Sequence, residues 1–361
     1  MDLLKQRLVE YGRDLGFDLI RMTTAEPLEL WHAQTAEIIA NDPESAIPWA
    51  NIEWNPKAIM PEANSLLVAV LAHKPLKAGS FGGSGRLSSH YREYPKGRKA
   101  AGMLKEFLVG IGHKAIVDPP LPVKEIAHRA GVGHFGKNSL IHTKDYGSWI
   151  SIHIIITDAA LTPDGGKDTI SDCPENCNLC IKACPTGALR DDGQLIADRC
   201  MRHHMLSSDF VPVDMREEMG NRILGCDICQ AVCPLNKQGL SEATFPEQEV
   251  VDLFNIGDIL AEYSTGLKKR MKAMAGVIGS NYARAQKILS MAAIIAGNSG
   301  DRIYIPSLIQ LLSHPHPPIR GHSAWAIGKI APGDYTDILT EALDRERDNR
   351  VKEEINNAIK A

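Results

Sequence analysis

All eight cysteines of this 361-residue chain fall between Cys173 and Cys233, and their spacing limits the local fold more than any other feature. The first run is Cys173-x3-Cys177-x2-Cys180-x3-Cys184-Pro185, the second is Cys226-x2-Cys229-x3-Cys233-Pro234, and Cys200 stands alone between them. Two runs that each end Cys-x3-Cys-Pro are what a pair of 4Fe–4S clusters needs. Three closely spaced thiolates wrap one cube and the last cysteine of the run reaches across to the other. By that rule Cys173, Cys177, Cys180 and Cys233 hold one cube, and Cys184, Cys200, Cys226 and Cys229 hold the second. Cys173 departs from the usual spacing, since three residues rather than two separate it from Cys177. Two four-thiolate zinc sites are the alternative, but zinc ribbons present separated Cys-x2-Cys knuckles. A bare electron-relaying ferredoxin is a second alternative, and it leaves the long stretches on both sides of the cysteines unexplained.

The chain is long enough for two or three domains. Its formal charge of −4 excludes an argument for nucleic-acid binding from total charge. No apolar stretch approaches the roughly 18 residues of a membrane span. Met1–Arg7 reads as the start of an amphipathic helix, not a signal peptide. Clustered, metal-spaced cysteines then indicate a reducing cytoplasm.

The expected class is α+β, in three regions. Residues 1–165 mix helices with apolar strands and read as a layered α/β domain. Leu4, Leu8, Val9 and Leu15 share a helical face, and Leu66–Leu71 and Trp149–Ile156 read as buried strands. Ala100, Met103, Leu104, Phe107, Leu108 and Ile111 mark an amphipathic helix, and a shorter one from Val123 to Ala130 stops at Gly131. Ala78–Gly85 is a glycine-rich loop, and Thr162–Lys167 links to a two-cluster ferredoxin-like region, 166–245. Residues 246–361 are helical and repetitive. Arg284–Leu289 is echoed by Arg320–Trp325 and more weakly by Lys352–Asn357, as in HEAT-like helix pairs.

Several stretches resemble the epoxyqueuosine reductase family: Cys180–Leu189, Asp198–Cys200, Gly220–Gln230, Val232–Lys237, Ile319–Ile330 and, upstream, Ala130–Ile141. The resemblance implies that 1–165 binds cobalamin in the manner of reductive dehalogenases. It also implies an oxidoreductase that reduces epoxyqueuosine at the wobble position of tRNA to queuosine. Electrons would come from a donor of the flavodoxin or ferredoxin type through the two clusters. Cysteine-ligated cubes span roughly −700 to +450 mV, which includes the low potentials such a step needs.

On the same resemblance, Asp118 in Val117-Asp118 is the proton donor, although it stands one residue closer to Gly131 than the family pattern and precedes Pro119-Pro120. Opening a turn is its bland alternative. Glu125 on the next helix is a substitute or a solvated charge. Tyr91 and Tyr94, in the altered Ser89–Gly97 segment ahead of the long helix, are reserve donors or packing residues. Gly131, Gly133, Lys137, Asn138, Ser139, Ser207 and Ser208 are the expected cobalamin contacts, against a tight-turn reading for the glycines.

Local charge points to RNA. From Gly266 to Ile330, Asp301 is the only acid among nine basic residues, while Asp344, Glu346, Asp348, Glu353 and Glu354 follow it. Lys268, Lys269, Arg270, Lys272, Arg284, Lys287 and Arg320 are the expected contacts to an anticodon stem-loop. A solvated face with salt bridges is the alternative. The sequence leaves two other functions open: a paralogous corrinoid reductase acting on a small molecule, and an electron-transfer module serving a corrinoid partner.

Overall fold

The computed structural model describes residues 3–41, 51–77, 83–165 and 173–361. Positions 78–82 of the glycine-rich loop and 166–172 after Gly165 lie outside the described residues. The chain divides into two compact units that interleave along the sequence.

The first unit comprises Met1–Pro75, Arg92–Asp198 and Asp227–Ala243. Its centre is a four-stranded sheet in the order Leu19–Thr24, Ser65–Ala72, Ile150–Thr157, Ala115–Val117. Every neighbouring pair is antiparallel, with Leu66 opposite Ile156 and Val68 opposite Ile154. Side chains alternate between two cores. Leu66, Val68, Val70, Ile154 and Ile156 pack with Ile126 and Ala127 of the helix Val123–Arg129. Leu67, Ala69 and Ile155 pack with Leu8 of the helix Leu3–Asp14 and with Leu104 and Leu108 of the helix Ser89–Gly110. Helices cover both faces, so the central strands read as continuous apolar runs instead of alternating ones. Each fully buried aliphatic side chain there contributes about 1.5–3 kcal/mol.

The long helix begins at Ser89, earlier than its apolar pattern suggests, so the Ser89–Gly97 segment forms its first turns and not a lead-in. Pro95 lies inside it and forfeits one helical hydrogen bond. The shorter helix ends as expected. Gly131 takes φ +73° and donates its N–H to the His128 carbonyl, while Val132 N–H reaches Ala127. This is the Schellman pattern that favours glycine at that position.

The second unit comprises Leu76–Tyr91, Arg199–Cys226 and Thr244–Ala361. It is helical apart from a short parallel pairing of Arg86–Leu87 with Arg222–Leu224. The three sequence echoes fall at the starts of the helices Ala285–Ser299, Pro317–Ile330 and Asn349–Lys360. The middle helix packs against the other two. A methyl on Gly328 would sit 2.8 Å from the Ala358 Cα, so two of these helices approach through glycine. His322, fully buried, faces Ser290 Oγ at 2.7 Å and accepts the Val211 N–H at 3.1 Å. Burial pushes its imidazole well below the usual range.

Candidate functional site

In the first unit Cys173, Cys177, Cys180 and Cys233 line one cleft of about 320 Å³, beside Lys137, Asn138 and His142. Cys177 closes a turn on the Pro174 carbonyl at 2.9 Å, Cys180 rides on the helix Leu179–Ala183, and Cys233 precedes the 3₁₀ turn Pro234–Asn236. Lys137 holds the first run at three points. Its N–H donates to Cys173 Sγ at 3.4 Å, and its ammonium donates to the carbonyls of Glu175 at 2.7 Å and Cys177 at 3.0 Å. Burial pushes the Cys180 and Cys233 thiols up, and the neighbouring cysteines push the same way. Four crowded thiols ionise together only when a cation compensates them. Converging thiols with amide N–H groups aimed at sulfur, here Lys137 to Cys173 and Ala188 to Cys184 at 3.3 Å, are a donor set that fits an iron–sulfur cube. Among the described residues no group of three or more His, Cys, Asp or Glu closes on one point as ligands of a single ion do; in a cube each thiolate takes its own iron. Of the other cysteines, Cys184 and Cys229 belong to the first unit and Cys200 and Cys226 to the second.

Asn236 pins the second run to the turn that leads into the strand Ile150–Thr157. Its Nδ2 donates to Ser148 Oγ at 2.9 Å and to the Gln230 carbonyl at 2.8 Å, and its Oδ1 accepts the Ser148 N–H at 2.8 Å. Asn236 and Ser148 are buried, so Asn236→Leu should strand polar groups at about 1–3 kcal/mol each. Iron retained after anaerobic desalting should fall while the far-UV dichroism holds; unchanged iron would mean that Asn236 does not position Cys233.

Of the residues expected to touch cobalamin, Gly133, Lys137, Asn138 and Ser139 are engaged in this same region. Gly133 has no room for a Cβ because the His142 carbonyl occupies that space. Asn138 is buried, donates to the Cys229 carbonyl at 3.4 Å and faces His142 Nε2 at 3.1 Å. Ser139, at φ +56°, donates to the Gly193 carbonyl at 2.6 Å. In the second unit Ser207 Oγ accepts the Asp209 N–H at 3.0 Å, and Ser208 is exposed.

The acid site is also in the first unit. Asp118 follows the strand Ala115–Val117 with φ +46°; it and Ser139 are the non-glycine residues with positive φ among those described. Its N–H donates to the Ile154 carbonyl at 2.7 Å, and its Oδ1 accepts the Ile154 N–H at 3.1 Å. Oδ2 accepts the Tyr94 hydroxyl at 3.1 Å and faces His153 Nδ1 at 3.0 Å. Burial pushes the Asp118 carboxyl up, but His153, the Ile154 amide and Tyr94 outweigh it, and the group stays below its ordinary range. Glu125 is half-buried on its helix, where its charge is felt by Arg129. In the second unit Tyr91 is buried edge-on to Tyr282, ring centroids 4.9 Å apart, and burial raises its phenol.

Residues 173–236 match the 4Fe-4S double cluster binding domain family, and residues 282–360 match HEAT repeats. Epoxyqueuosine reductase of Bacillus subtilis (strain 168) is 33% identical, covering 99% of this chain and 95% of its own. The chain belongs to the epoxyqueuosine reductase family. It is thus an oxidoreductase with a double 4Fe–4S region, and the zinc alternative is set aside. Two solved epoxyqueuosine reductases superpose on it with TM-scores of 0.79 and 29% identity, covering 99% of this chain and 98% of theirs. One is the Bacillus subtilis protein with a catalytic loop swung out of the active site, and the other carries a tRNA-Tyr epoxyqueuosine-modified stem loop.

Within this family member the basic residues of the helical region divide into two kinds. Lys268, Lys269, Lys272 and Arg284 are exposed. Arg270 is bound by Glu262 at 2.6 and 2.9 Å and by Asp258 at 3.1 Å, and Arg320 by Glu346 at 2.6 and 2.7 Å. Lys287 donates to the Leu206 carbonyl. Acids on both sides of the basic stripe thus neutralise part of it. His153 was missed in the sequence because it sits inside an apolar strand; the available signal was one imidazole interrupting an isoleucine run.

Proposed function

We propose that this protein reduces epoxyqueuosine to queuosine at the wobble position of a tRNA. Two electrons and two protons convert the epoxide to an alkene and release its oxygen as water. The reading rests on full-length kinship with epoxyqueuosine reductases, joined to the cleft of four cysteines. Electrons enter from a low-potential donor of the flavodoxin or ferredoxin type. Cys173, Cys177, Cys180 and Cys233 ligate one cube; Cys184, Cys200, Cys226 and Cys229 ligate the other. The three sequence regions, 1–165, 166–245 and 246–361, carry catalysis, electron relay and RNA contact respectively.

Cobalamin, implied by the family, would supply an electron-rich low-valent cobalt for the reduction. The side chains put forward for it fit only in part. Gly131 and Gly133 answer to backbone geometry, and Lys137, Asn138 and Ser139 are spent on the cysteine region. The residue-level mechanism is therefore carried by the cysteines and Asp118. Asp118 protonates the departing oxygen, which requires it to leave its inward bonds, turning on Pro119-Pro120. The loop that swings in the Bacillus subtilis relative supports such a movement. Lys268, Lys269, Lys272 and Arg284 meet phosphates, while Arg270, Lys287 and Arg320 shape the helices that present them. No helix among the described residues is long and apolar enough to cross a membrane, and the site of action proposed is the cytoplasm.

Whole-chain kinship favours this substrate over the small-molecule and electron-carrier alternatives. The test is anaerobic turnover of an epoxyqueuosine stem-loop by protein reconstituted with iron, sulfide and cobalamin. Queuosine should form, and Asp118→Asn should lower the rate by about 10²–10⁴-fold. An unchanged nucleoside with the native chain would overturn the proposal.

A further inference from the structure

We infer that His153 is the positioning residue of the acid site, holding the Asp118 carboxylate inward through its Nδ1–H until substrate draws it out. This deepens the reading of Asp118 as the proton donor and rests on it. His153 lies at 0% exposure in one of the sheet's two central strands, opposite Ala69. An imidazole in an aliphatic core is costly unless its nitrogens are bonded. One of them is: Nδ1 meets Asp118 Oδ2 at 3.0 Å. Nε2 has no partner among the described residues. It packs where the long helix carries Gly97, at which any side chain would overlap the ring. A leucine would fill this space without leaving a nitrogen unpaired, so the packing alone gives no reason for a histidine. The contact with Asp118 does.

The geometry also determines the tautomer. A nitrogen facing an ionised carboxylate carries the hydrogen, so Nδ1 is the donor to Asp118. Asp118 itself is held in left-handed backbone, a conformation that residues with a Cβ seldom adopt. The Ile154 amide, the His153 imidazole and the Tyr94 hydroxyl together keep it there. Among the described residues these are the groups facing Asp118 from the strand Ile150–Thr157 and the helix Ser89–Gly110, and they include no lysine or arginine. His153 in turn faces Tyr94, ring centroids 4.8 Å apart, and Phe17 at 6.3 Å.

A proton donor must be protonated to act, so activity from Asp118 falls as pH rises through its titration. Removing the His153 hydrogen bond disfavours the carboxylate, which moves that titration upward. The titration is read by carbon-13 NMR of aspartate-labelled full-length protein, with Asp118→Asn assigning the signal. His153→Phe should raise the Asp118 midpoint by about one pH unit or more, and the pH limb of stem-loop turnover should move with it. His153→Asn, which keeps a donor at that place, should restore both. Wild-type protein should show the Nδ1–H tautomer of His153 by nitrogen-15 NMR, a measurement that needs no folded variant. An Nε2–H tautomer, or a midpoint that His153→Phe leaves unmoved, overturns the inference. Full activity of Asp118→Asn would instead remove the proton-donor reading, whatever His153 does to the titration.

Discussion

Cys233→Ser should cut bound iron from about eight to about four per chain and abolish reduction of the stem-loop. Cys233 ends the second cysteine run, but the fold brings it to the cleft lined by the three leading cysteines of the first. Ligation by a serine oxygen in place of a thiolate leaves one corner of that cube weakly held, and the interrupted relay passes no current. The cluster lost should be the same one lost in Cys173→Ser, and a different one from that lost in Cys229→Ser. Low-temperature EPR of dithionite-reduced protein distinguishes the two cubes by their signals. If Cys233→Ser and Cys226→Ser remove the same signal, each run folds around its own cube and the ligand sets proposed above are wrong.

The second large effect lies in the helical unit. Arg216 is 1% exposed and donates to both carboxylate oxygens of Glu354, one at 2.9 Å. It also reaches the Val211 carbonyl at 2.9 Å, and its guanidinium lies 5.3 Å from the centre of the Trp325 ring. Glu354→Leu leaves a buried cation without its counter-charge, which costs about 3–5 kcal/mol. That is a large share of the 5–15 kcal/mol that holds a typical domain together. Arg216→Met should cost a similar amount by the same argument. The double variant should recover much of the loss, since two apolar side chains need no partner. Urea unfolding of the three variants followed by helical dichroism gives the comparison. Equal stability of the single and double variants would show that the pair does not act as a unit.

Much of the architecture was legible from residues close in sequence. Leu66–Leu71 and Trp149–Ile156 form the two central strands, and their unbroken apolar character is what burial on both faces requires. Gly131 ends its helix in the left-handed cap expected of it. The repeated Arg284, Arg320 and Lys352 segments open three helices of one stack. The long helix was the exception. It starts at Ser89, ahead of the apolar pattern that begins at Ala100, because tertiary packing overrides weak local preference.

Charge was harder to read. A stripe of arginines and lysines beside a run of acids is compatible with RNA contact or with internal ion pairs. Arg270 and Arg320 took the second route, each held by acids of its own unit. Spacing carries no record of which acid lies across a helix packing interface, so Lys268 and Arg270 looked alike in sequence and differ in the fold.

Cysteine spacing by itself favoured iron–sulfur chemistry over zinc, because short loops hold three thiolates at the separations a cube needs. The period of the apolar residues likewise determined which segments are strands and which are helices. Tertiary structure decided what those segments bring together. Asp118 meets His153 and Tyr94 across a sheet and a helix, and Cys233 joins cysteines far behind it in the chain. Such pairings depend on how whole elements pack, a long-range property that no local repeat of residues encodes.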